Sequence, residues 1–327
     1  MQKMLPFSEL PSETYQGLSF ILGAVLGNDN SKQAYYNKYI NLECANTKDI
    51  FQVELYFTRC MWGDYWKDNI AELDLYAIRN IAENLFVNFL RERIDQDNYI
   101  LLYEIDEYYL SYSPNYRHKH FAHDTYILGY DDDYFLVMAY KDGKLQRIKL
   151  KNVEIVNALY KGDIGKEIEF CTFRIHPTIQ VTFDVKKMYR EFKNYYEGNG
   201  NDEPDDDLMV FGVNIYDVLI SAIYNFIQDS FYSVIDLRPF RILWEHKKII
   251  VDHIKKLGEI MVVPDIFLRE FIEIENLTYS VFMVVLKYSV NKSKILLYDV
   301  ISCLENISKR EKSLLKSYIS WLEGRVH

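Results

Sequence analysis

Apolar residues crowd the stretch from Tyr15 to Leu26, where Leu18, Phe20, Ile21, Leu22, Ala24, Val25 and Leu26 leave almost no polar face. A helix apolar on nearly all sides belongs in the middle of a domain. Ser12, after Pro11, offers a cap ahead of it, and Gly27-Asn28-Asp29-Asn30-Ser31 stops it. From Ile70 to Ile94 the positions Leu73, Ala77, Ile81, Leu85 and Phe89 recur at helical spacing, which predicts an amphipathic helix. The pattern then changes. Tyr99 to Ile105, Thr125 to Gly129, Tyr134 to Ala139 and Leu145 to Leu150 are short apolar runs. The turns Tyr130-Asp131-Asp132-Asp133 and Lys141-Asp142-Gly143-Lys144 separate the last three. They predict consecutive antiparallel strands.

Helix is expected again from Val153 to Tyr160, and a short strand from Glu167 to Ile175, ending at His176-Pro177. Gly198 to Asp207 is the clearest break, with two Gly, two Asn, Pro204 and five acids, and predicts a solvated, protease-sensitive loop. Beyond it Tyr216 to Tyr232, Arg241 to Leu257, and Pro264 to Tyr279 and on to Leu322 all read as helix. No internal repeat is visible. The fold class is therefore α+β. An antiparallel-sheet domain is expected over residues 1–160, a bridging segment and acidic loop over 161–204, and a helical C-terminal part over 205–327.

Composition narrows the function classes. The chain has 327 residues, 49% of them hydrophobic and 26% charged, with 28 Tyr and 19 Phe against 13 Gly. Tyrosine-rich chains can line grooves for amphipathic ligands; AT-biased codon usage raises the same residues together. A formal net charge of −10 argues against a nucleic-acid partner, which needs a basic face. Lys309, Arg310 and Lys312 are interrupted by Glu311 and read as a solvated helix face. Cys44, Cys60, Cys171 and Cys303 show neither a C-x-x-C pair nor metal spacing with histidine. Met1 to Leu10 lacks a basic start with an apolar core, and runs such as Val281 to Leu286 are too short to span a bilayer. Free thiols, a cytoplasmic location, no membrane contact and no cofactor are the expectations.

The densest polar chemistry runs from Asp106 to His123, through Tyr108-Tyr109, Ser111, Ser113 and Tyr116-Arg117-His118-Lys119-His120. It lies between two strands, where functional groups usually sit. Three readings stand. His120 and His123 could ligate a metal with a third ligand from elsewhere; the histidines could bond backbone in a structural loop; or His123 could be a general base at the mouth of a thiol-enzyme cleft. The phrase His123-Asp124-Thr125-Tyr126-Ile127-Leu128-Gly129-Tyr130-Asp131, a histidine opening a strand that turns at Gly-Tyr-Asp, favours the last.

With these residues in view, Asp106 to Tyr130 resembles the N-terminal domain family of butirosin biosynthesis protein H, which is papain-like and C39-peptidase-like. Gly212, Tyr216-Asp217, Asp236-Leu237-Arg238-Pro239-Phe240 and Trp244-Glu245-His246-Lys247 are similar to the C-terminal half of relatives of this kind. The resemblance implies a papain-like N-terminal domain and acyl transfer from a carrier-protein thioester to an amine, through a cysteine, a histidine and an acid. His123 matches the base. The cysteine slot, judged from Ser19 at the head of the buried helix, holds Tyr15, and the acid slot holds Met138 or Ala139. Asp131 is the substitute acid for His123, and Tyr15, Ser19, Tyr109, Tyr116 and His120 are the expected binding residues. The expectation is a catalytically silent or strongly altered relative in peptide-type or aminoglycoside-type antibiotic biosynthesis. It would bind a carrier-protein-linked or peptide intermediate. The alternative is an active acyltransferase or condensation enzyme. Asp236, Arg238, Glu245 and His246 read as a ligand pocket or as ion pairs that fix helix packing.

Overall fold

The computed structural model describes residues 2–60, 62–162, 169–200, 208–229 and 234–326. The elements begin with β1 (Lys3–Met4), α1 (Gln16–Gly27), α2 (Gln33–Tyr36), β2 (Leu42–Ala45), β3 (Tyr56–Phe57), α3 (Trp62–Lys67), β4 (Ala71–Ala77) and α4 (Glu83–Asp95). They continue with β5 (Tyr99–Asp106), β6 (Ala122–Tyr130), β7 (Tyr134–Lys141), β8 (Lys144–Lys151), α5 (Asn152–Tyr160) and β9 (Glu169–Ile175). The last are α6 (Val185–Glu197), β10 (Met209–Phe211), α7 (Ile215–Gln228), α8 (Arg238–Gly258), α9 (Asp265–Asn291) and α10 (Ile295–Val326). The architecture is α+β, with an antiparallel sheet in the N-terminal part and helices in the C-terminal part.

Two compact units divide the chain, each discontinuous in sequence: Met1–Gln33 with Met61–Val181, and Ala34–Cys60 with Thr182–His327. The linear division at residue 160 expected from the sequence is not the one observed. β9 sits inside the main sheet, paired with β4 and β5, so the chain stays in the first unit past residue 160. Residues 34–60 belong to the helical unit, where His246 and His253 of α8 bond the carbonyls of Ile40, Tyr35 and Lys38. β10, β2 and β3 form a small sheet there.

In the first unit the sheet order is β4-β9-β5-β6-β7-β8, with β1 added to β6. α1 packs on one face, Phe20 stacking on Tyr126 at 5.1 Å and meeting Tyr99 edge-on at 5.8 Å. α4 covers the other, with Phe86 and Phe89 against Phe170. Residues 71–77 were expected to be helical and are strand instead. Ala71, Leu73 and Leu75 alternate with Glu72, Asp74 and Tyr76, and seven consecutive residues pair with β9, so a full ladder outweighs the helical spacing. α6 falls in the expected bridge. Asp184 caps it through the Lys186 and Lys187 amides, Met188, Phe192 and Tyr195 are buried on one stripe, and Gly198 ends it at φ 75. Residues 201–207 of the expected acidic loop lie outside the described residues. No helix among the described residues is long and apolar enough to cross a membrane.

Candidate functional site

β5 ends and β6 begins side by side, with Ile105 opposite His123 and Asp106 opposite Ala122. The chain between them leaves the sheet and returns, and two carboxylates and two histidines meet at its base. Asp106 is fully buried, and its Oδ2 lies 2.6 Å from His120 Nδ1. Its Oδ1 accepts the backbone amides of Tyr108 and Phe121. Glu107 lies 3.1 Å from His123 Nδ1 through Oε1. Its Oε2 accepts Ser113 Oγ at 2.6 Å and Asn115 Nδ2 at 2.7 Å. Burial alone would raise the Glu107 carboxyl, but contacts from His123, Ser113 and Asn115 hold it below the usual carboxylate range. The Glu107 contact in turn raises His123, against the opposing effect of its own partial burial.

A cleft of about 470 Å³ opens beside these pairs, lined by Tyr108, Tyr109, Tyr116 and Arg117 of the loop and by Lys151 and Glu154 at the start of α5, among others. His120 reaches it by stacking on Tyr108, with ring centroids 4.3 Å apart. Of the expected binding residues, Tyr109 and Tyr116 line this cleft and His120 borders it.

Tyr15, Ser19 and Asp131 are not brought together with His123. Asp131 caps the β6–β7 turn, accepting the Asp133 and Tyr134 amides and pairing with Lys149 at 2.8 Å. Eight residues of extended strand separate it from His123, roughly 26 Å. The acid that orients His123 is Glu107. Strand alternation also turns His123 away from α1. Tyr126 faces α1, whereas Thr125, and His123 two residues before it, share the opposite face. At the head of α1 the Tyr15 carbonyl accepts both the Ser19 amide and the Ser19 hydroxyl, at 2.9 and 2.8 Å, and Ser19 is 1% exposed. Gln16 Nε2 donates to the Met138 carbonyl at 2.7 Å, in the slot where an acid was expected. A β-carbon on Gly17 would lie 2.8 Å from the Tyr126 hydroxyl, so that ring fills the ground in front of the helix.

On the α1 face Cys171 stands 3.1 Å from the Tyr103 hydroxyl. Burial pushes its thiol up to about 11, so it stays protonated near neutrality. Cys44 is pushed by burial to about 12. Cys60 is buried and Cys303 is exposed on α10. Among the described residues no three metal-ligating side chains converge. In the helical unit the residues of the Asp236 block bond one another and nearby backbone. Asp236 accepts the Arg238 amide and pairs with its guanidinium, Glu245 pairs with Arg241 one turn away at 3.0 Å, and His246 is buried against the Ile40 carbonyl.

Sequence reasoning had the loop but not its partners. Two acids closing one strand and two histidines opening its antiparallel neighbour must meet across the ladder, and that signal was readable. Neither a protein-family model nor a curated protein matches this chain.

Proposed function

We propose that the first unit is a catalytically silent or strongly altered relative of the butirosin H papain-like family. On this reading it holds a carrier-protein-linked or peptide intermediate of natural-product assembly in the tyrosine-lined cleft beside His120. One observation carries the reading. The head of α1 presents Tyr15 and Gln16, with the Ser19 hydroxyl committed to a backbone carbonyl, while the imidazole of His123 faces away from α1 toward Glu107. A thiol acyltransferase needs its nucleophile and base within hydrogen-bond reach. The Tyr109 and Tyr116 rings offer instead the mix of apolar face and polar tip that suits an amphipathic chain.

The alternative, acyl transfer to an amine, draws on the retained Glu107–His123 pair, whose imidazole stays protonated to higher pH than a free histidine. A titration separates the two. An aminoacyl-pantetheine thioester is added with and without an acceptor amine, following binding by calorimetry and product by mass spectrometry. Saturable binding that Tyr109→Ala and Tyr116→Ala weaken, without thioester consumption, is the expected result. Turnover that disappears in His123→Ala would reject the silent reading, and absence of saturable binding would reject the cleft.

A further inference from the structure

The cleft is lined by more cations than acids. Nine residues line it, and two of them, Arg117 and Lys151, are cations. Its one carboxylate is committed: Glu154 Oε1 accepts the Ser111 amide at 2.8 Å and Oε2 the Lys151 amide at 2.9 Å. No carboxylate among the described residues pairs with Arg117 or with the Lys151 ammonium. In a chain of net charge −10, two cations to one carboxylate among a cleft's lining residues runs against the overall balance.

The backbone points the same way. Arg117 sits at φ 56, in the left-handed region where glycine or asparagine is cheaper by about 1–2 kcal/mol. Its amide closes the loop onto the Tyr108 carbonyl at 3.0 Å, and its guanidinium stands over the Tyr116 ring at 5.0 Å. A guanidinium held over a ring still has its donor fork, the geometry that matches two oxygens of a phosphate or carboxylate. Tyr108, already stacked on His120, meets Tyr109 edge-on at 5.1 Å, so aromatic faces lie beside the cations.

We propose that the cleft recognises an aromatic anion, with Arg117 and Lys151 taking a phosphate or carboxylate head and the tyrosines taking the ring. This rests on the binding role given above to Tyr109 and Tyr116, and adds the ligand class. A volume of about 470 Å³ accommodates a ring, its anionic head and a short chain.

Calorimetry on the full chain tests it, with phenyl phosphate and benzoate as anionic probes, benzamide as the neutral ring and benzylamine as the cation. The anions saturate one site, and the stronger of the two tells whether the head is a phosphate or a carboxylate. Arg117→Gln weakens them by roughly ten- to a hundredfold. Arg117→Gly does the same while relieving the left-handed backbone, so lost binding at undiminished thermal stability assigns the effect to the side chain. Lys144→Gln, on β8 outside the cleft, leaves binding unchanged. Benzamide or benzylamine binding as tightly as the anions would overturn the anion assignment and leave the cleft a binding site. Anion binding indifferent to Arg117 would also overturn it. If neither these probes nor the pantetheine thioester bind, the cleft reading falls with it.

Discussion

Acid–base pairs in the two units of this protein use similar chemistry in opposite surroundings. In the helical unit, Lys247 of α8 and Glu311 of α10 meet at 2.7 Å with side chains 1% and 0% exposed. Lys247 also donates to the Tyr195 hydroxyl at 2.6 Å, and the Tyr216 hydroxyl donates to Glu311 at 2.6 Å. Burial drives the lysine down and both phenols far up. In the sheet unit the acids are equally hidden, but His120 and His123 keep 44% and 40% of their side chains exposed. The sealed cluster specifies how α8, α10 and α6 pack. The half-open pairs present one partner to solvent. Exposure of one partner, rather than the presence of a pair, separates the candidate site from the scaffold.

The largest test of that contrast is to break the sealed pair. Lys247→Met leaves the Glu311 charge buried without its cation, and should cost about 3–5 kcal/mol in chemical denaturation. A cost below about 1 kcal/mol would mean that water reaches the cluster. Glu107→Ala comes next. It strands Ser113, Asn115 and His123 without their shared acceptor and should cost about 1–3 kcal/mol, with the loss seen in hydrogen exchange of residues 107–121. His123→Ala should cost about 1 kcal/mol or less and leave the fold intact, because half-exposed pairs contribute little. An unfolded variant would move His123 into the scaffold class.

The smallest effect is that of pH. His123 is raised in the folded state, so its contribution is complete below the value of a free histidine and fades as pH rises through the raised one. Glu107 is lowered, so its contribution is complete above the value of a free glutamate and fades as pH falls through the lowered one. The Glu107–His123 tie is therefore strongest between about pH 4.5 and 6.5. Protection of the Ser113 and Asn115 amides should peak there and decline above it, by less than about 1 kcal/mol. In Glu107→Gln that dependence should flatten.

Much of this was legible in the chain and some was not, for physical reasons. α1 was readable because seven apolar residues leave little for solvent, and β5 to β8 because turns punctuate them. β4 was misread because Leu73 and Ala77 fit a helix and a strand alike; only pairing with β9 decides between them. The excursion of residues 34–60 into the helical unit depends on long-range bonds from α8, which local pattern does not carry. In the site, His120, Tyr109 and Tyr116 were readable as a polar loop at a sheet edge. Glu107 as the partner of His123 is not legible from local pattern, because Asp131 follows on the same strand whereas Glu107 lies across the ladder, just past the end of β5.

On the proposed reading, the cleft binds its ligand and no covalent acyl intermediate forms on the chain. The direct measurement is intact-mass spectrometry of the full chain after exposure to an acyl-pantetheine thioester, with peptide mapping of any adduct. The account predicts no rapid adduct, only slow modification of the exposed Cys303, at the same rate in His123→Ala. Rapid, stoichiometric acylation of one buried residue such as Cys171, abolished by His123→Ala, would contradict it.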